Sequence, residues 1–303
     1  MLSQRAADGI DDLAAAARLM SAAWVGGSAH VAATPAAIEW WYALTHPEPL
    51  REHLRLWSDD GEPVAWSWHE PPELEWHVWT GDDTRDRDVF AAIVDRALDE
   101  ARDGEVGVFA ADDDAASIAT LRDRGFEPTG RQLTQWHHVP GDPLAPARLP
   151  DGYRIRGLTG PEEFPARVAV HRAAFPASRL TVEKYERLVT VPHYRLEDDL
   201  VVEAPDGSLA AYALTWWDPE GRVGELEPVG THPDHQRRGL SRAVVAAAVE
   251  RLHDRGAAVV QVYSDAAEAP AEALYAAVGF QRHATHRRHA VRPIRPAGAT
   301  IGP

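Results

Sequence analysis

In the second half of the chain, apolar positions recur at a spacing of two in some stretches and of three to four in others, the marks of strands and helices. "GYRIRGL" reads as a short strand, and "PEEFPARVAVHRAAF" and "TVEKYERLVT" read as helices. "DLVVEA" and "LAAYALTWW" are strands flanking "PDGS", an Asp-Gly hairpin signal. "GRVGELEPVGTH" is a further strand. In "LSRAVVAAAVERLHDRG", Leu240, Val244, Ala248 and Leu252 fall on one helical stripe, and Gly256 can end the helix. "AVVQVYS" has the run of a buried strand, "PAEALYAAVGF" is a short helix turning at Gly279, and "QRHATHRRHAVR" alternates as a final strand.

The first half repeats much of this plan. A helix, "DGIDDLAAAARLMSAAW", opens it, and "LRLWSDDGEPVAWSWHE" repeats the strand, Asp-Gly turn, strand unit of Leu200–Trp217. "LRDRGFEPTG" matches "YAAVGFQRHA". Gly61 corresponds to Gly207 and Gly125 to Gly279, so the first half is about eight residues shorter between these landmarks. The missing piece falls where the second half has "PDHQRRGLS". A repeat of about 150 residues is a duplicated domain rather than a solenoid. The competing reading is two unrelated α+β domains that share turn chemistry. Between the halves lies "VPGDPLAPARLPD", whose four prolines mark an extended linker. The expected fold is α/β with a mixed sheet, in two tandem domains, 1–146 and 147–303.

Charge divides unevenly over the 303 residues. Residues 1–150 hold 27 Asp/Glu against 12 Lys/Arg, and residues 151–303 hold 20 against 19. The first half should repel nucleic acid, anionic lipid and polyanionic ligands, so a phosphate-bearing ligand is expected on the second. The net charge of −16 disfavours a nucleic-acid partner. No apolar run reaches the roughly 18 residues of a membrane span, and the acidic N-terminus lacks a signal core. Cysteine is absent, which removes disulfides, thiol chemistry and thiolate metal sites. A cytoplasmic enzyme is the expectation, with no membrane partner and the oligomeric state left open. His283, His286 and His289 lack a completing carboxylate and alternate in direction on a strand, so no metal is expected.

The stretch "EPVGTHPDHQRRGLSRAVV" places a strand, a basic loop and a helix start in succession. A helix start offers unpaired amides and partial positive charge, which together bind phosphate. Gly239 removes a Cβ from the approach path, Ser241 is small, and Gln236, Arg237 and Arg238 add donors and charge. Neither a Walker loop nor a GxGxxG fingerprint is present. Gln236-Arg237-Arg238-Gly239-Leu240-Ser241 resembles the acetyl-CoA signature of the GNAT N-acetyltransferase family, Q/R-x-x-G-x-G/A, with Ser at the last position. Downstream, Ala271, Leu274, Tyr275, Gly279 and Phe280 match that family's N-x-x-A-x-x-LYxxxGF stretch, with Glu268 where Asn is usual. The resemblance covers about residues 150–290 and points to the tandem type that includes mycothiol-synthase-like enzymes.

The resemblance implies an acetyl-CoA-dependent N-acetyltransferase. Glu225 and Glu227 are its candidate general bases on one strand face, and Tyr275 is its general acid toward the leaving thiolate. It also implies that Val229, Gly230 and Thr231 pair with the pantetheine arm where two strands splay near Pro228. The cofactor set is Val229–Thr231, Gln236, Arg237, Arg238, Gly239, Leu240, Ser241 and Glu268. The first half has Leu121 in place of the acid and "TGDDTRDRD" near the missing loop, so it is expected to be a degenerate copy. Tyr212, Trp216, Trp217, His171 and His193 are candidate acceptor contacts, fitting an amine-bearing small molecule or peptide. Two alternatives stand beside this: an acyl-CoA-binding sensor without turnover, and a mycothiol-synthase-like enzyme.

Overall fold

The computed structural model describes residues 1–292 except 29, 32, 45–49 and 102–103. In chain order its elements are β1 (Leu2–Ala6), α1 (Ile10–Gly26), α2 (Pro35–Leu44), α3 (Leu50–His53), β2 (Leu54–Asp59), β3 (Glu62–Glu70), β4 (Glu73–Val78), α4 (Asp83–Ala101), β5 (Val106–Ala111) and α5 (Ala115–Arg122). Then come β6 (Glu127–His138), β7 (Arg154–Gly157), α6 (Phe164–Ala174), α7 (Val182–Leu188), β8 (Asp199–Glu203) and β9 (Leu209–Asp218). The last are β10 (Val223–Thr231), α8 (Leu240–Asp254), β11 (Val259–Asp265), α9 (Ala269–Val278) and β12 (Gln281–Val291).

The elements group into two compact units that do not follow chain order. One takes Met1–Leu19, Glu48–Leu133 and the chain from Ala284; the other takes Met20–Pro47 and Thr134–His283. The division at 146 marks a sequence repeat, whereas these units are sets of mutual contacts, and the two partitions differ. The last strand of each half is divided between the units: β6 changes unit after Leu133, and β12 after His283. In the first unit the sheet order is β1-β2-β3-β4-β5-β12, with β12 antiparallel to β5 from His286 opposite Ala111 to Val291 opposite Val106. In the second unit it is β6-β11-β10-β9-β8-β7. Each set of strands is mixed, because β4–β5 and β10–β11 are parallel pairs.

The expected turn units form. β2–β3 and β8–β9 are antiparallel hairpins, with Gly61 and Gly207 at positive φ in their turns. In the first unit, Phe90, Ile93, Val94 and Ala97 of α4 pack with Leu74, Val106 and Val108. The strand β1, paired along its length with β2, is an element the sequence pattern did not announce.

The second unit has a core on each face of its sheet. On one face α8 buries Leu240, Val244, Ala248 and Leu252, the stripe set by the sequence, against Leu226, Val260 and Val262. Burying each Val or Leu side chain contributes about 1.5–3 kcal/mol, enough to lock the loop preceding α8 to the sheet. On the other face α6, α7 and α2 cover Tyr212, Leu214 and Trp216. The first half of the sequence therefore supplies a helix to the unit that carries the basic loop.

Candidate active site

The strand β10 is built to open the sheet. Its parallel pairing with β11 runs Val223–Val259, Gly224–Val260 and Glu225–Gln261, and no pair follows. Against β9 the register shifts between Leu226 and Val229, where the Glu227–Pro228 peptide is cis. Pro228 has no N–H to donate to a ladder, so the pattern must break there. Residues 226–231 thus lie along an open edge facing away from β9.

Glu225, Glu227 and Tyr275 meet at this opening. Glu225 is buried; its Oε2 accepts from the Thr34 hydroxyl and, at 2.9 Å, from Gln261 Nε2. Burial pushes the Glu225 carboxyl upward, and hydrogen bonds from Thr34, Gln261 and neighbouring Glu227 oppose this only in part. Glu227 is half-buried, and its carbonyl accepts from Trp216 Nε1 at 2.7 Å, which fixes the strand at the bulge. Tyr275, on α9, is 6% exposed. Burial first and the Glu227 charge second push its phenol well above the ordinary range, so it keeps its proton. The pair of carboxyls side by side cannot both ionise freely, which favours one proton shared between them.

Gly230 and Tyr212 show a close approach. A Cβ at Gly230 would lie 2.6 Å from the Tyr212 hydroxyl, so only glycine lets the ring pack against this backbone. Tyr212 is fully buried, with the Arg167 guanidinium 3.6 Å over its ring and His171 Nδ1 2.7 Å from its hydroxyl. His171 is buried as well, and burial followed by Arg167 lowers it to about 4, leaving a neutral ring bridging Tyr212 and Ser178. These two support the strand from beneath rather than line an open wall. Trp216 is also buried, 2% exposed, while Trp217 and His193 border a narrow cleft with Glu225, Thr34 and Asp218.

The basic loop has the geometry of an anion cradle. Thr231 ends β10 and its hydroxyl is hydrogen-bonded to that of Ser241 in the first turn of α8. Arg237 at φ 64° and Gly239 at φ 78° turn the loop, and Gly239 is the N-cap of α8 with no side-chain cap. Among the described residues, the amides of Arg237 through Arg242 donate to no protein group. A Cβ built on Gly239 meets nothing within 4 Å, so space lies open before these donors. Arg238 is held by Tyr153 at 3.1 Å, and Arg237 has no ion-pair partner among the described residues. Glu268 stands exposed at the N-cap of α9, its side chain making no cap.

The matching place in the first unit is chemically different. Before α4, Asp82 accepts from the Arg85 amide, and Asp86 accepts from the Thr80 amide and hydroxyl. The chain's own carboxylates thus accept from donors around this helix start. Leu121, fully buried, has no proton to give.

Four residues of this site escaped the sequence. Thr34, just before α2, and Glu39, within it, reach Glu225 and His193 from far away in the chain. Gln261 is a lone polar residue in the apolar run "AVVQVYS", a signal that was there to read. Arg167 is a lone charge on the apolar face of α6.

Residues 168–280, which hold the opened strand and the loop, match the model of the acetyltransferase (GNAT) family. The chain is 28% identical over 202 residues to a mycothiol acetyltransferase of Segniliparus rotundus, covering 63% of this chain and 75% of that protein. It is 29% identical over 193 residues to the mycothiol acetyltransferase of Thermomonospora curvata, spanning 62% and 64%. A match of 27% to that of Kytococcus sedentarius reaches 80% and 82%. In fold it resembles a GCN5-related N-acetyltransferase from Sphaerobacter thermophilus, at TM-score 0.65 and 18% identity over 96% of both chains. It also resembles a tandem GNAT protein of the clavulanic acid biosynthesis pathway, at TM-score 0.62 and 15% identity over 96% and 98%. Residues 168–280 thus form a GNAT acetyltransferase domain, and these likenesses support an N-acetyltransferase. The chain's layout is that of the tandem members.

Proposed function

We propose that this chain transfers an acetyl group from acetyl-CoA to a primary amine of a small molecule or peptide, with the chemistry in the domain 147–303. The observation that carries the reading is the opening of β10 from β11 beyond Glu225, flanked by a carboxyl pair and Tyr275 and leading to a loop of free amides. The free amides of 237–242, Arg237 and the open space at Gly239 fit a pyrophosphate. The edge at Val229–Thr231, unpaired toward β11, fits a pantetheine arm seeking strand-like partners. Acetyl-CoA supplies the thioester: as the amine nitrogen bonds to its carbonyl carbon, the C–S bond breaks.

The chain's residues handle the protons. Glu227, half-buried at the opening, takes a proton from the ammonium, directly or through a water, so that the lone pair is free to attack. Glu225 lies behind it, pinned by Thr34 and Gln261, and holds the pair at an elevated proton affinity. The Val229 amide polarises the carbonyl. Tyr275, kept protonated by burial, gives its proton to the departing thiolate. Residues 1–146 are proposed to be a degenerate copy without turnover, because Asp82 and Asp86 occupy its helix start.

A mycothiol-type acceptor is a second reading, favoured by the named relatives. Thiol release measured over a panel of primary amines, with the N-acetyl product weighed by mass spectrometry, tests both. Binding of acetyl-CoA without thiol release over that panel would point instead to a sensor.

A further inference from the structure

Beside the narrow cleft at Glu225 lies a pocket of about 270 Å³, lined by Pro192, His193, Arg195, Trp217, Pro219 and Arg255. The two share His193 and Trp217, so the open pocket adjoins the closed cleft. Their charges are opposite. The cleft is acidic, bordered by Glu225 and Asp218. Asp218 is 3% exposed, and its Oδ2 is buried with no hydrogen-bond partner. A buried, unpaired carboxylate oxygen is costly and suits an incoming ammonium. The pocket has only basic ionisable lining: His193, Arg195 and Arg255.

The positive charge of the pocket is not cancelled from behind. Arg255 pairs with buried Asp198, but that same carboxylate also takes Arg251 at 2.9 Å, so one negative charge serves two guanidiniums. Arg195 spends one nitrogen on the carbonyls of Pro192 and Tyr194, each at 2.7 Å, and has no carboxylate partner among the described residues. His193 is held by Glu39 at 2.6 Å, a pair neutral in sum. The Trp217 ring lies 6.0 Å from the Arg255 guanidinium carbon and walls the pocket.

We propose that the acceptor is an anionic amine, whose carboxylate or phosphate is held by Arg195 and Arg255 while its amine lies on the acidic side of the pocket, toward Glu225 and Asp218. This rests on the acyl-transfer reading and narrows its acceptor class. Guanidinium groups present paired donors that suit both anions. The anion contact is made equally in ground and transition states, so it lowers KM more than it raises kcat.

The test uses the full chain and matched amines: glucosamine 6-phosphate against glucosamine, phosphoethanolamine against ethanolamine, and amino acids against their amides. The anionic member of at least one pair is expected to have a kcat/KM about tenfold or more higher, carried by KM. Arg195→Ala and Arg255→Gln should collapse that ratio, and Arg195→Lys should restore part of it. A preference for the neutral members, or a ratio untouched by these variants, overturns the proposal. A second arm needs no turnover. With CoA saturating the loop, inorganic phosphate should raise the melting temperature of the wild-type chain more than that of Arg195→Ala, and equal shifts would also overturn the proposal. Phosphate protection that depends on Arg195, with no thiol release from any amine, would leave the pocket standing and reject acyl transfer.

Discussion

The Thr34 hydroxyl donates to the carboxylate of Glu225, 191 residues further along the chain. Segment 20–47 therefore reaches the proposed reaction centre of the unit it joins, and it acts on a specific atom. This bond lowers the proton affinity of a carboxyl that burial raises. Thr34→Val removes the donor and keeps the shape. The Glu225–Glu227 pair should then hold its proton to higher pH, moving the acidic limb of kcat/KM upward. At neutral pH the loss should be about tenfold, the scale of one hydrogen bond to a charged group. A pH profile identical to that of the wild type would separate Glu225 from the proton path.

Gly239 combines left-handed backbone with open space on its Cα. Gly239→Ala should cost about 1–2 kcal/mol through its φ alone, because the added methyl meets no protein atom. Gly239→Asp places a carboxylate before the free amides and should lower CoA affinity by tenfold or more in calorimetry. Equal CoA affinity in the Asp variant and the wild type would move the phosphate site elsewhere.

The sequence carried whatever is fixed by neighbours along the chain. The hairpins turned at Gly61 and Gly207, the stripe from Leu240 to Leu252, and the loop before α8 depend on local turn chemistry and helical spacing, and all three were legible. Pro228 announced the break in β10 because it cannot donate. Contacts between distant segments left no such trace. Nothing near Thr34 says that it meets Glu225, and nothing in "QRHATHRRHAVR" says that it pairs with β5 rather than with its own half. Tyr212 and Trp216 read as aromatic walls, but alternation cannot tell which face of a twice-covered strand stays open. The pairing of Arg195 with Arg255 across the pocket joins a loop to the end of a helix, beyond any sequence period.

His193 and Glu39 give a stability test by pH. Burial opposes charging the imidazole, yet the hydrogen bond and charge of Glu39 prevail, so its proton affinity is raised. A raised folded value means that the bonus is complete below the unfolded imidazole's range, near 6.5, and is lost as pH climbs through the elevated folded value. Urea unfolding of the wild type and His193→Gln should differ most near pH 5.5, by about 1–3 kcal/mol, and the gap should narrow toward pH 9. A gap that widens with pH would contradict a protonated His193.

Tyr275 and Glu227 test the chemistry itself. The Glu227 charge is among the causes that raise the Tyr275 phenol, which places the two close enough to act on one reaction. Tyr275→Phe keeps the ring between Trp136 and Phe280 and removes only the proton. Its kcat should fall by roughly 10²–10⁴ with little change in the KM for acetyl-CoA. Glu227→Gln should act differently: without the base, kcat/KM should climb more steeply with pH, because only amine already deprotonated in solution can react. Burial keeps the phenol protonated through the assay range, so the wild type should show no basic limb from Tyr275 below pH 10. If the Phe and Gln variants both keep the wild-type rate and profile, the proton transfers do not run through this pair, and the residues at the opened strand serve binding alone.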